Sequence, residues 1–349
     1  MIPVRNIYYM LSYAFRILKE KGYKNLETEP FDNVADLFAA IILRGVSLQL
    51  KQGLTREYID EKDELTTIRG KIEMSESVKT LSLVRKRLVC SYDDYSSNSY
   101  MNRIIKTTMV LMLHSDISNE RKKELRKLLV FLGDIELLEL RTINWNFQYS
   151  RNNQTYRLLI SICYLFIKGL LQVNSNGNIK TMDFIDDQSM SKLYEKFILE
   201  YYRKEFAGEL LVDASQISWA IDDGKKEMLP NMRTDVLLTH GNKILIIDAK
   251  YYTHAMQSNH GKLSIFSGNL YQIFTYVKNH QINVDKGAEV AGMLLYAKTD
   301  EETFPNGDYK MSGNLISAKT LNLYADFSSI KTQLDGFVDE YFSIKRRSN

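Results

Sequence analysis

The sequence predicts two folds in one chain: an α+β amino-terminal region of helices with a β-hairpin, and an α/β carboxy-terminal region built on a central mixed sheet flanked by helices. Three observations carry that prediction. Apolar residues recur at helical spacing over 4–22, 32–50, 98–114 and 118–132, with a β-prone stretch at 58–74 between them. From 183 onward the order becomes helix, strand, strand pair, helix, two strands, helix. Between the two, around 144–154, the chain turns polar and turn-rich, which sets the expected domains at 1–150 and 151–349.

Each element has its own signal. Asn33, just ahead of Val34, Leu37, Phe38 and Ile41, offers a cap for the second helix. Residues 58–74 read as a β-hairpin through the charged turn Glu61-Lys62-Asp63-Glu64. Ser118 caps the fourth helix, with Glu120 in its first turn facing the positive end of the helix dipole. A further helix at 155–172 borders the domain boundary. Met190, Leu193, Tyr194, Phe197, Ile198, Tyr201 and Tyr202 form a core-facing stripe on the next one. Strands follow at 233–238, 244–250, 291–296 and 315–324, with helices at 269–276 and 329–342, and no internal repeat is found.

The strand pair is the most informative segment. Its two arms are separated by His240-Gly241-Asn242-Lys243, and Gly-Asn is a two-residue hairpin signal. A turn centred between Gly241 and Asn242 makes positions whose numbers sum to 483 face each other, which sets Asp235 opposite Asp248. Facing Cβ atoms lie roughly 4.5 to 5.5 Å apart, and like charges there repel, so the pairing calls for a cation between them. Alternation puts Lys250 on the face of Asp248, with Ala249 pointing away. Residues 244–247 are continuously apolar, as in a strand covered on both faces. Two carboxylates suit Mg²⁺, which takes one or two of them plus waters and substrate phosphate. A lysine beside such a metal can hold or deprotonate the attacking water and offset charge on the phosphate, so phosphodiester hydrolysis is the natural chemistry. The alternative is a surface hairpin with solvated charges.

Asp235 followed by Asp248-Ala249-Lys250 resembles the PD-(D/E)XK nuclease superfamily. That resemblance implies a restriction-endonuclease-like domain in which Asp235, Asp248 and the carbonyl of Ala249 bind the metal. Asp248 stands where many members carry Glu. Glu195, about 20° past Tyr202 on the stripe's margin, matches the helix glutamate that often reaches the metal; a solvated glutamate is the other reading. Gln272 and Tyr276, at i and i+4, look like the Gln-x-x-x-Tyr element of the RecB-like branch, where the glutamine positions the lysine and the DNA; an amphipathic helix with a polar edge is the plain alternative.

Composition narrows the classes. With 349 residues and 44% apolar content, the chain can bury two cores. A net charge of +3 gives no global basic field, and the clusters Arg85-Lys86-Arg87, 121–127 and Lys345-Arg346-Arg347 read as solvated faces. Cys90 and Cys163 are too few for a disulfide framework or structural zinc, which fits a reducing cytoplasm. The longest apolar run, 158–167, is too short to span a bilayer, and no phosphate-cradling G-x-x-x-x-G-K-[ST] loop is present.

Longer strings extend the resemblance to nearly the whole chain. The opening Ile2-Pro3-Val4-Arg5-Asn6-Ile7-Tyr8-Tyr9-Met10-Leu11-Ser12-Tyr13-Ala14-Phe15 is similar to the start of the McrC family, the nuclease subunits of McrBC modified-cytosine restriction systems. So are Ile68-Arg69-Gly70-Lys71-Ile72-Glu73, Asn102-Arg103-Ile104-Ile105-Lys106, Leu229-Pro230-Asn231-Met232-Arg233-Thr234-Asp235 and the run 244–252. The family implies an amino-terminal domain that docks into a ring of the AAA+ GTPase McrB and stimulates it, and a carboxy-terminal domain that cuts double-stranded DNA. GTP would be bound by the partner, which would also recognise the modified cytosine. The hairpin, with Arg69 and Lys71, is the expected partner contact, and nuclease domains would associate to cut both strands. Two other readings stand beside this one: a non-cleaving adaptor of the GTPase, and a stand-alone RecB-like repair nuclease.

Overall fold

The structure is a computed structural model that describes residues 2–20, 22–149, 154–175, 187–252, 254–259, 262–299 and 301–344. The chain divides into two compact units, one formed by Met1–Glu20 with Ile185–Asn349 and the other by Lys21–Phe184. These spans differ from the expected 1–150 and 151–349. The first helix, α1 (Val4–Ala14), buries Ile7, Tyr8, Met10, Leu11 and Tyr13 within the carboxy-terminal unit. There Asn6 Nδ2 donates to the carbonyls of Leu323 and Ala325, both at 2.8 Å, and Tyr9 stacks on Phe327 at 4.2 Å. Contacts more than 300 residues apart in sequence leave no local signal. The helix also stops at Ala14, short of 22, and continues as a 3₁₀ turn over Arg16–Lys19.

The inserted unit is built around α2 (Val34–Gln52), whose Asn33 side chain caps it by accepting from the Asp36 amide at 2.9 Å. The chain then forms β1 (Glu57–Leu65), β2 (Lys71–Ile72), α3 (Met74–Lys79) and β3 (Leu88–Ser96). A β-hairpin is present here, but its arms are β1 and β3, antiparallel from Glu57↔Ser96 to Leu65↔Leu88, with β2 on the far side of β3. Glu61-Lys62-Asp63-Glu64 is therefore the middle of β1 and not a turn. A charged run suits this strand because it lies on a ribbon whose side chains largely meet water. Next come α4 (Tyr100–Leu113) and α5 (Asn119–Val130), capped by the hydroxyls of Ser99 and Ser118, and then α6 (Gln154–Ser175). Helix α6 packs on α2 and α4, and Tyr156 OH donates to Asn102 Oδ1 at 2.7 Å, which ties it to this unit. No helix among the described residues is long and apolar enough to cross a membrane.

In the other unit α7 (Asp187–Glu205) buries the whole predicted stripe, Met190 through Tyr202. After β4 (Leu211–Asp213), β5 (Gln216–Ile217) and β6 (Met232–Arg233) come the central strands β7 (Val236–His240) and β8 (Lys243–Lys250). The short pair β9 (Gln257–Asn259) and β10 (Lys262–Ser264) leads into α8 (Ser267–Asn283), β11 (Glu289–Ala297), β12 (Gly307–Met311), β13 (Asn314–Leu321) and α9 (Phe327–Phe342). The sheet runs β12-β13-β11-β8-β7-β4, with β11 parallel to both β8 and β13 and the remaining pairs antiparallel. This is the expected central mixed sheet. Helix α8 seats closely on it: a Cβ at Gly292 of β11 would lie 2.7 Å from Ile273 and 2.8 Å from Val277.

Candidate functional site

The site forms where β8 runs out. The β7–β8 ladder pairs His240 with Lys243 and Val236 with Ile247, the register that the Gly-Asn turn predicts, and Gly241 takes a positive φ of 57°. Asp248 is 2% exposed on a strand whose interior positions are all buried. Asp235, one residue before β7, accepts the Ala249 amide on Oδ2 at 2.8 Å. That bond locks the first acid to the backbone between the second acid and the lysine. A residue's N–H and C=O leave a strand on the same side, so the Ala249 carbonyl also faces Asp235.

Lys250 Nζ lies 2.7 Å from Asp248 Oδ2 and donates to Gln272 Oε1 at 2.9 Å. Gln272 Nε2 in turn donates to Tyr276 OH at 3.0 Å, one turn along α8. The Lys250 approach to Asp248 is an ion contact outside hydrogen-bond geometry, so Oδ2 is buried without a hydrogen bond. The ammonium at 2.7 Å is the charge that offsets this buried oxygen.

The electrostatics agree. Burial first, and then the Asp248 charge, push Asp235 up to about 7. Burial also raises Asp248, although Lys250 pulls against it. For Lys250, burial acts to lower the pKa, but Asp248 and its other acidic neighbours prevail and hold the ammonium above its ordinary value. Glu195 on α7 is raised chiefly by burial, while Ser191 Oγ donates to its Oε1 at 3.1 Å. Two carboxylates disfavoured by burial, one of them also by the charge of the other, beside a protonated lysine, make a centre that gains from a bound divalent cation.

Among the described residues no group of three or more His, Cys, Asp or Glu side chains is arranged to hold a metal. Asp235, Asp248 and the Ala249 carbonyl supply oxygen donors only, and few of them. That set fits Mg²⁺, which keeps several positions for water and phosphate.

The structure thus brings Asp235, Asp248, Ala249, Lys250 and Gln272 to one place, with Glu195 on the margin and turned to Ser191. Arg69 and Lys71 lie in the inserted unit. Arg69 is bound to Asp94 at 2.7 Å over the Tyr92 ring at 4.0 Å, and Lys71 pairs with Glu73 at 3.0 Å. Sequence reasoning missed Asn269 and Tyr252. Asn269 stands three residues before Gln272 on α8 and Tyr252 two after Lys250, so the same periodicities would have found both.

A mixed sheet with helices α7 and α8 and acids converging on a central strand end is consistent with a PD-(D/E)XK-like domain. The particular lineage is also defined. The family model for the McrBC 5-methylcytosine restriction system component matches residues 4–297, and the chain belongs to that family. It is 31% identical over 346 residues to the Type IV methyl-directed restriction enzyme EcoKMcrBC of Escherichia coli strain K12, covering 97% of this chain and 98% of that one. Among solved structures it aligns with the refined half-complex from a tetradecameric assembly of Thermococcus gammatolerans McrB AAA+ hexamers with bound McrC. The TM-score is 0.50 at 18% identity, over 96% of this chain and 76% of that one, and what they share is the fold.

Proposed function

We propose that this chain is the Mg²⁺-dependent endonuclease subunit of a GTP-driven restriction system that cuts DNA containing modified cytosine, and that it stimulates an McrB-like AAA+ GTPase partner. The observation that carries the reading is the half-buried Asp235 beside the buried Asp248, with Lys250 at the end of β8. Asp235, Asp248 and the Ala249 carbonyl would hold the metal. Mg²⁺ bound there supplies charge neutralisation at the scissile phosphate and activation of water. Lys250, kept protonated by its acidic neighbours, offsets negative charge growing on the phosphate and orients the attacking water. Gln272 fixes the lysine and Tyr276 fixes Gln272, so the ammonium is aimed before substrate arrives. Glu195 supplies a further acidic group at the margin.

The inserted unit is the part we assign to the GTPase. Between β1 and β3 it exposes Ile68, Met74, Val78, Leu81 and Val84, together with Arg85-Lys86-Arg87. Exposed apolar side chains gathered on one excursion of the chain mark an interaction surface. Arg69 and Lys71, each engaged with an acid of its own ribbon, shape this surface and would contact the partner from its base. The Escherichia coli relative's methyl-directed restriction activity supports the DNA substrate, and the McrB hexamers of the Thermococcus assembly support the partner. The test is cleavage of modified and unmodified plasmid by the chain with and without the GTPase and GTP. Cutting by the complex that is lost in Asp248→Ala is expected. Undiminished cutting by that variant refutes the reading.

A further inference from the structure

We propose that Tyr252 contacts the nucleotide adjoining the scissile phosphate and that Asn269 is the positioning residue that holds its ring for the purpose; this rests on the nuclease reading above. Lys250 and Tyr252 are two residues apart at the end of β8, and α8 grips both. Gln272 takes the Lys250 ammonium at 2.9 Å, and Asn269 Oδ1 accepts from Tyr252 OH at 3.2 Å. Asn269 and Gln272 are three apart and therefore neighbours on one helix face. The other end of Asn269 is spent as well, since its Nδ2 donates to Tyr296 OH at 2.9 Å. Tyr296 is the cross-strand partner of Lys250 on β11. One amide, 8% exposed, thus ties the residue beyond the lysine to the strand beside the lysine.

Tyr252 differs from the other members of this chain of bonds because it reaches solvent, with 37% of its surface exposed. Its hydroxyl is turned inward to Asn269, and its ring is steadied edge-on by Phe266 at 5.6 Å. What it leaves open is aromatic surface, next to a centre that handles a phosphodiester. Aromatic faces take the sugar or base of a nucleotide without regard to sequence. A ring already fixed by a hydrogen bond loses little further freedom when it binds.

The experiment uses the full chain with its GTPase, GTP, Mg²⁺ and methylated duplex, with cleavage rate followed against DNA concentration. Tyr252→Ala is expected to raise KM roughly tenfold, the scale of a lost aromatic contact, with kcat and the Mg²⁺ concentration for half-maximal rate near those of the parent. Tyr252→Phe and Asn269→Ala should each raise KM by a smaller factor. Their combination should be no worse than Asn269→Ala alone, because that variant already lacks the hydrogen bond that Tyr252→Phe cuts. Tyr252→Phe keeps the packing, so the cycle decides the matter even if Tyr252→Ala fails to fold. An unchanged KM in the single variants, a loss confined to kcat, or additive effects in the double variant would overturn the proposal. Asp248→Ala runs alongside: an active Asp248→Ala refutes the nuclease reading, whereas a parental Tyr252→Ala beside an inactive Asp248→Ala refutes only this inference.

Discussion

Two pairs of facing aspartates, one in each unit, teach what a carboxylate pair means. On the ribbon of the inserted unit Asp60 stands opposite Asp93 in the β1–β3 ladder. In the sheet of the other unit Asp248 lies across from Asp235 at the end of β7 and β8. Both bring like charges to the separation at which they repel. The ribbon pair is open to water, and Asp93 is raised mainly by the hydrogen bond its carboxyl can donate to Asp60, so solvent absorbs the conflict. The sheet pair is walled in by β8 and its neighbours, and burial leads the shift of both acids. Repulsion favours a bound cation only where solvent cannot relieve it.

The largest expected effect breaks this comparison if it fails. Asp248→Ala or Lys250→Ala should lower plasmid cleavage by the GTPase complex at least about a hundredfold, while leaving GTPase stimulation at the parental level. Asp60→Ala should leave cleavage unchanged. A cleavage defect in Asp60→Ala as deep as that in Asp248→Ala would make the two pairs equivalent and end the distinction.

Stability against pH sharpens it next. Asp235 moves from 3.8 to about 7 on folding without metal, so the folded chain holds a proton that the unfolded chain releases. This carboxyl's contribution to stability therefore falls as pH rises from about 4 to about 7, and above that its cost is fully present, on the order of 4 kcal/mol at most. In EDTA at pH 8, Asp235→Asn should unfold at higher denaturant concentration than the parent, and near pH 4 the two should converge. Added Mg²⁺ should stabilise the parent and not Asp235→Asn. A parent that is indifferent to both pH and Mg²⁺ would show that this pair is no more strained than the ribbon pair.

Legibility in the sequence follows the same divide between local and distant causes. The Gly-Asn turn, the stripe of α7 and the apolar run of β8 are local patterns, and the register, the buried helix face and the covered strand came out as they indicate. Asp235, Asp248 and Lys250 could be placed together because two-residue turns fix register. The arms of the amino-terminal hairpin were misassigned because Glu61-Lys62-Asp63-Glu64 has turn-like polarity, and only the partner strand at Leu88–Ser96 reveals it as the middle of β1. The placement of α1 in the carboxy-terminal unit was illegible because it depends on Asn6 meeting carbonyls at 323 and 325. Strand β12, an edge strand with mostly exposed positions, has no apolar alternation to announce it.

A smaller effect separates the partners of the two sites. Gln272→Ala removes one of the groups that aim Lys250 and leaves the acids in place, so cleavage should fall about tenfold with little change in melting temperature. Full activity would mean that Asp248 alone sets the lysine.

The smallest expected effect belongs to the ribbon, and the comparison requires it to be small. Arg69 is bound to Asp94 at 2.7 Å and lies over the Tyr92 ring, an arrangement that on paper looks as well made as the contact between Lys250 and Asp248. Its side chain is about half exposed, however, while that of Lys250 is 13% exposed. Water competes for every charge on the ribbon, and salt screens what remains. Arg69→Ala should therefore shift the melting temperature by less than about 2 °C, and raising the salt concentration should shrink even that difference. GTPase stimulation, if Arg69 touches the partner, would fall without any change in the fold. A large loss of stability in Arg69→Ala would show that the ribbon's charges are held as tightly as those beneath the sheet, and burial would then not be what distinguishes the two pairs of acids.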